Sequence, residues 1–214
     1  TRKGSDEYKT MVARFELGDG DLVAEKPIEL KSTQQFAAAA FDFDGRRIFL
    51  SGIEGKVIYL VDLAAKKPIP ELWLEVESDG VINDLHYDNA TGSLFAIGGV
   101  DGDVYRLTEH GEGPKPSLIA GSLGLPVGIA VDDERGRVFI GDAKGKQIWR
   151  IDCSASGKCT DPVSLIAGGK LVTPAELDVA PDGTVWIADR EAQMIVALSP
   201  DGEVLQTITD LPAE

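Results

Sequence analysis

Apolar residues recur in this chain as short runs of about five, each closed by a turn signal such as DG, EG, KG or NATG. Four segments repeat one order of features: an apolar run, an acidic or glycine turn, a second apolar run, a small-residue turn and a third run. They are AAAAFDFDGRRIFLSGIEGKVIYLVDL from Ala37, NDLHYDNATGSLFAIGGVDGDVYRLTE from Asn83, VGIAVDDERGRVFIGDAKGKQIWRIDC from Val127 and AELDVAPDGTVWIADREAQMIVALSP from Ala175. Their starts lie 46, 44 and 48 residues apart, and Val61, Leu107, Ile151 and Leu198 keep the same rhythm in the third run. Continued backwards, the rhythm lands on Phe15, so residues 10–35 read as the outer half of a further blade.

The run length and turn chemistry predict strands, and no unit holds a 3.6-residue period long enough for a crossover helix. Residues 70–75 and 163–167 fit a fourth, outermost strand in their units. A twisted four-stranded sheet of about 45 residues cannot bury both faces alone, whereas a series of such sheets stacked around an axis can. The expected fold is therefore an all-β propeller of four-stranded antiparallel blades, with about four and a half blades visible in a single domain spanning residues 1–214. The expected blades are 36–80, 81–124, 125–172 and 173–212. A six-bladed ring would need roughly 60 more residues or a second chain to complete it.

The segments LPVGIAVDDERGRVFIGDAKGKQIWRID and TPAELDVAPDGTVWIADREAQMIVALSPDGEV resemble NHL-type repeats, and equally the SMP-30/gluconolactonase/LRE-like propellers, over about residues 36–212. The second resemblance implies a six-bladed ring. It also implies a divalent metal, Ca²⁺ or a similar ion, at the top of the central channel. In that family the ligands are a Glu, two Asn and an Asp, each near the start of a blade's innermost strand. The match of VINDLHYDNATG implies Asn83 as a metal ligand, with Asp84 beside it near the substrate. Most of the remaining ligands are not retained. Val127 stands at one ligand position and Ala175 at another, with Glu176 one residue along as a substitute carboxylate.

Other candidates come from position. Repeat alignment brings Gln35 to the same rim as Val127, and Glu176 and Asp178 alternate onto one side of a strand. Asp42, Asp88 and Asp132 recur at equivalent places, which points to turn capping. His86 and His110 form no triad arrangement, and Trp149 and Trp186 fall at blade-core positions.

Charge narrows the partners. The formal net charge of −15 repels phosphate backbones and excludes nucleic-acid binding. No apolar run approaches a membrane span, and no secretory leader pattern opens the chain. The only two cysteines, Cys153 and Cys159, are expected to close a seven-residue loop as a disulfide. Together with the sequon Asn89-Ala90-Thr91, that bridge points to a secreted, lumenal or periplasmic protein.

Two functions follow. In the first the chain is a binding module that takes a small molecule or a protein at the channel rim, with Gln35, Val127 and Asp178 as its rim residues. The alternative is a metal-dependent lactone or ester hydrolase, with Asn83 and Glu176 on the metal and Asp84 orienting or deprotonating water.

Overall fold

The computed structural model describes residues 8–12, 15–18, 21–24, 27–32, 34–53, 55–76, 80–110, 113–166 and 171–209. Strand β1 (Tyr8–Val12) opens this part of the chain. A hairpin of β2 (Phe15–Gly18) and β3 (Asp21–Ala24) follows, and β4 (Ile28–Ser32) returns to pair antiparallel with β1. The segment 10–35 thus holds a strand pair interrupted by a hairpin.

Four antiparallel sheets of four strands come next, each in sequence order. The first is β5 (Phe36–Asp42), β6 (Arg47–Gly52), β7 (Val57–Asp62) and β8 (Glu71–Glu75). The second is β9 (Ile82–Asp88), β10 (Ser93–Gly98), β11 (Asp103–His110) and β12 (Gly113–Ala120). The third is β13 (Pro126–Asp132), β14 (Arg137–Asp142), β15 (Gln147–Asp152) and β16 (Val163–Ile166). The fourth is β17 (Pro174–Val179), β18 (Val185–Asp189), β19 (Met194–Leu198) and β20 (Val204–Ile208). Ala167, at the end of the expected outer strand 163–167, lies outside the described residues. Among the described residues there is no helix, and so none long and apolar enough to cross a membrane. The architecture is all-β, with propeller blades as its units.

The blades pack face to face, and the alternation of each second strand shows how. On β10, Phe95 and Ile97 point to the third sheet, where they meet Ile129, Val131, Val138, Ile140 and Ile151. Leu94 and Ala96 point the other way, onto Ala40, Phe49 and Ile58 of the first sheet. Phe139 and Ile148 of the third sheet likewise pack on Val185, Ile187 and Leu198 of the fourth. The β1–β4 pair docks by Val12, Ile28 and Leu30 onto Ile48, Leu50 and Val61. A strand covered on both faces reads as a continuous apolar run, and RIFLSG, SLFAIG and RVFIGD are such runs. The outermost strands are exposed edges. Pro114 and Pro116 sit in one of them, β12, where a missing amide hydrogen is tolerated.

Turns are held by buried carboxylates. Asp42 accepts the Gly45 amide at 2.7 Å, Asp88 those of Ala90 and Thr91 at 2.9 and 3.0 Å, and Asp132 that of Arg135 at 3.2 Å. A second set closes the other end of the blades. Asp142 accepts Leu125 N and Gly145 N at 3.0 and 2.8 Å, and Asp189 accepts Val172 N and Thr173 N at 2.7 and 2.8 Å. The Cys153–Cys159 disulfide is formed. It shapes the loop whose Ser154 carbonyl accepts a bond from the buried Arg106 at 3.1 Å.

Phe95→Ala tests the interblade packing. Phe95 is 1% exposed and faces the neighbouring sheet, so its truncation should lower the unfolding free energy by about 3–5 kcal/mol. Urea denaturation measures the change, and a loss of under about 1 kcal/mol would mean the sheets do not share that core.

Candidate functional site

The four inner strands β5, β9, β13 and β17 are neighbours around the axis, and each carries a β-bulge near its start. On β9, Asp84 pairs with Ile97 and Ile82 with Gly98, which leaves Asn83 without a partner. Ala37 and Val127 are the extra residues of β5 and β13, and Ala175 with Glu176 opposes Ala188 on β17. A bulge bends its strand and re-aims a side chain. The same structural place is therefore occupied by Ala37, Asn83, Val127 and Ala175–Glu176, and only the second and fourth offer polar side chains. The bulges also let the backbones crowd. A Cβ on Gly98 would collide with the Val81 carbonyl, and one on Gly128 with the Ala175 carbonyl.

Asn83 and Asp84 tie the second blade to the third. The Asn83 amide donates from Nδ2 to the Pro126 carbonyl at 2.7 Å, which turns its oxygen away from that carbonyl. Asp84 accepts the Leu85 amide on Oδ1 at 2.8 Å and the Ile129 amide on Oδ2 at 2.9 Å. Burial disfavours its charged form and pushes its pKa up from 3.8 to about 6, against the two amides, which act the other way. The negative charge of Glu176 adds to the rise, and His86 opposes it. Asp84 is thus a half-buried carboxyl, held by two strands, that changes charge near pH 6.

The remaining candidates fall elsewhere on the channel. Glu176 is exposed on β17, and Asp178, two residues on, is exposed on the same side. Val127 borders a recess of about 310 Å³ with Leu125, Ala143, Lys144, Arg190 and Glu191. Gln35 is exposed, and its carbonyl accepts the Ile53 amide at 3.1 Å. Asp178 lies further along the channel than Gln35, Asn83 and Val127, where the inner strands end. Of the sequence candidates, Glu176 stands close enough to Asp84 for its charge to act on that carboxyl, and Asn83 precedes Asp84 at the bulge.

A hard divalent cation such as Ca²⁺ takes six to eight oxygen ligands. At the bulges the described residues offer the Asn83 amide oxygen and the Glu176 carboxylate, with the Asp84 carboxylate next to Asn83, and Val127 and Ala175 have no side-chain donor. Among the described residues no group of three His, Cys, Asp or Glu side chains is placed to hold a metal ion. Among the described residues this donor set falls short of the ion's coordination.

The raised pKa of Asp84 has a measurable consequence for stability. The folded protein binds this proton more tightly than the unfolded chain, so the contribution of Asp84 favours folding at low pH and is lost as pH rises from about 4 to about 6. Denaturation midpoints taken from pH 4 to pH 7 should fall less in Asp84→Asn than in the parent. Parallel pH profiles for the two proteins would refute the burial argument.

The fold has counterparts among known proteins. Residues 27–214 match the sequence profile of the SMP-30/Gluconolactonase/LRE-like region. No curated protein sequence matches the chain. Among solved structures, a luciferin-regenerating enzyme superposes with a TM-score of 0.68 at 19% identity, over 86% of this chain and 66% of the enzyme. A gluconolactonase from Xanthomonas campestris superposes with a TM-score of 0.62 at 17% identity, over 78% of this chain and 59% of that one. At these identities the superpositions establish the fold alone, and the chain spans about 66% and 59% of the lengths of the two proteins. With a profile match over most of its length and blades of the same build, the chain belongs to the SMP-30/gluconolactonase/LRE-like family.

Proposed function

We propose that this chain forms the channel wall of a hydrolase acting on lactones or related esters, with Asp84 as its acid–base carboxyl. The observation that carries this reading is the placement of Asp84: fixed by the Leu85 and Ile129 amides, beside Glu176, with a pKa of about 6. A general base works best when its pKa lies near the operating pH. The substrate class comes from the family and from the solved gluconolactonase with the same fold.

Above pH 6 the Asp84 carboxylate takes a proton from a water as its oxygen bonds to the ester carbonyl carbon. Collapse of the tetrahedral adduct breaks the ring C–O bond, and Asp84 returns the proton to the departing alkoxide. The product is the open hydroxy acid. Two backbone amides, one from each of two strands, keep the carboxyl in place through both transfers.

Binding without chemistry is the second reading, favoured by the apolar Val127 and Ala175 at two of the four bulges. A screen of γ- and δ-lactones and aryl esters separates the two. Under the hydrolase reading Asp84→Asn lowers kcat about 100-fold or more with little change in KM. Glu176→Gln, at an exposed position, moves the acid limb of the pH profile slightly downward, because the charge that adds to the burial-driven rise of the Asp84 pKa is gone. Turnover that is unaffected by Asp84→Asn sinks the assignment of Asp84. Lactones that raise Tm without being hydrolysed support the binding reading instead.

A further inference from the structure

A cavity of about 490 Å³ opens where the inner strands end, away from the bulges that carry Asn83 and Val127. All four blades line it. The first contributes Phe41 and Phe43, the second His86, the third Asp133 and Glu134, and the fourth Asp178.

Two features are unusual for a solvated turn region. The rings of Phe41 and Phe43 stack at 6.0 Å with an interplanar angle of 18°, yet Phe41 is 38% and Phe43 75% exposed. Four carboxylates line the cavity with them, Asp132, Asp133, Glu134 and Asp178, and Arg135 pairs with Asp132 at 3.1 Å and with Glu134 at 3.8 Å. Asp133 is fixed by accepting the Asn89 amide on Oδ2 at 3.1 Å. Its Oδ1 is buried with no hydrogen-bond partner, and His86 Nε2 stands 3.8 Å from it.

We propose that this cavity binds a small organic cation with an apolar body, a substituted ammonium, at a site separate from the one containing Asp84. The apolar part lies against the Phe41–Phe43 pair and the ammonium faces Asp133 and Asp178. Aromatic faces and carboxylates both attract a cation, and the apolar rings exclude water from the contact. The volume falls within the roughly 300–1,000 Å³ usual for small-molecule sites. A net charge of −15 raises the local concentration of such a ligand and repels anionic ones.

Isothermal titration with phenethylammonium tests the assignment, with neutral 2-phenylethanol as the control of equal shape. The ammonium should bind one to one, and the alcohol at least about tenfold more weakly. Asp178→Asn and Asp133→Asn should each weaken the ammonium about tenfold, and Phe43→Ala about fivefold. Asp178 and Phe43 are exposed, so their variants keep the fold, and circular dichroism checks this. No saturable binding at millimolar ammonium overturns the proposal. So does equal affinity for the alcohol, or binding untouched by both Asp178→Asn and Phe43→Ala.

Discussion

Burial of the second strand of each blade between two neighbours is the constraint on which the rest of the structure depends. β6, β10 and β14 have almost no exposed residue, and their alternate side chains feed two different cores. No blade completes a core of its own, because half of each strand's apolar side chains need the next blade to cover them. The arrangement also fixes register. A slip of one residue in β10 would send Phe95 and Ile97 to the first sheet and Leu94 and Ala96 to the third, filling both cores with side chains of the wrong size.

That stacking brings the inner strands close enough for the bulges to matter. Gly98 and Gly128 sit where a side chain would strike a neighbouring carbonyl, and the Ile129 amide comes within bonding distance of Asp84 on the adjacent blade. The chemistry of Asp84 is therefore a product of blade packing. Its burial raises the pKa while the amides that reach it from two strands hold it in position. Gly128 is a structural requirement of the same arrangement, since any bulkier residue there would push β17 away from β13.

The two ends of the channel differ in kind. At the starting end, bulges present Asn83 and Glu176 beside small or apolar residues at the other two positions. At the far end, turns present Phe43, Asn89 and Asp133, linked in series as the Phe43 amide bonds Asn89 Oδ1 at 3.3 Å and the Asn89 amide bonds Asp133. The buried Asp42, Asp88 and Asp132 that precede these three residues shape the turns, and so set what faces the cavity.

The repeat, the strand composition and the continuous apolar runs determined the blades by themselves, because a strand's burial is written along the chain, as alternation where one face is covered and as an unbroken apolar run where both are. The capping role of Asp42, Asp88 and Asp132 was legible for a related reason: a turn is local, and the recurrence is visible at a spacing near that of the blades. A second recurrence was just as readable and is easily passed over, since Asp142 and Asp189 stand in the parallel phrases GDAKG and ADREA. The site was legible only as a short list of residues. Which of them meet depends on contacts across blades, between residues 43 to 45 apart, and no local pattern encodes those. Only the tertiary structure placed Ile129 on Asp84, put Asp178 at the far end of the channel, and joined Phe41 and Phe43 to Asp133 around one cavity. The physical reason is that secondary structure follows from neighbours along the chain, whereas burial, charge and cavity shape follow from neighbours in space.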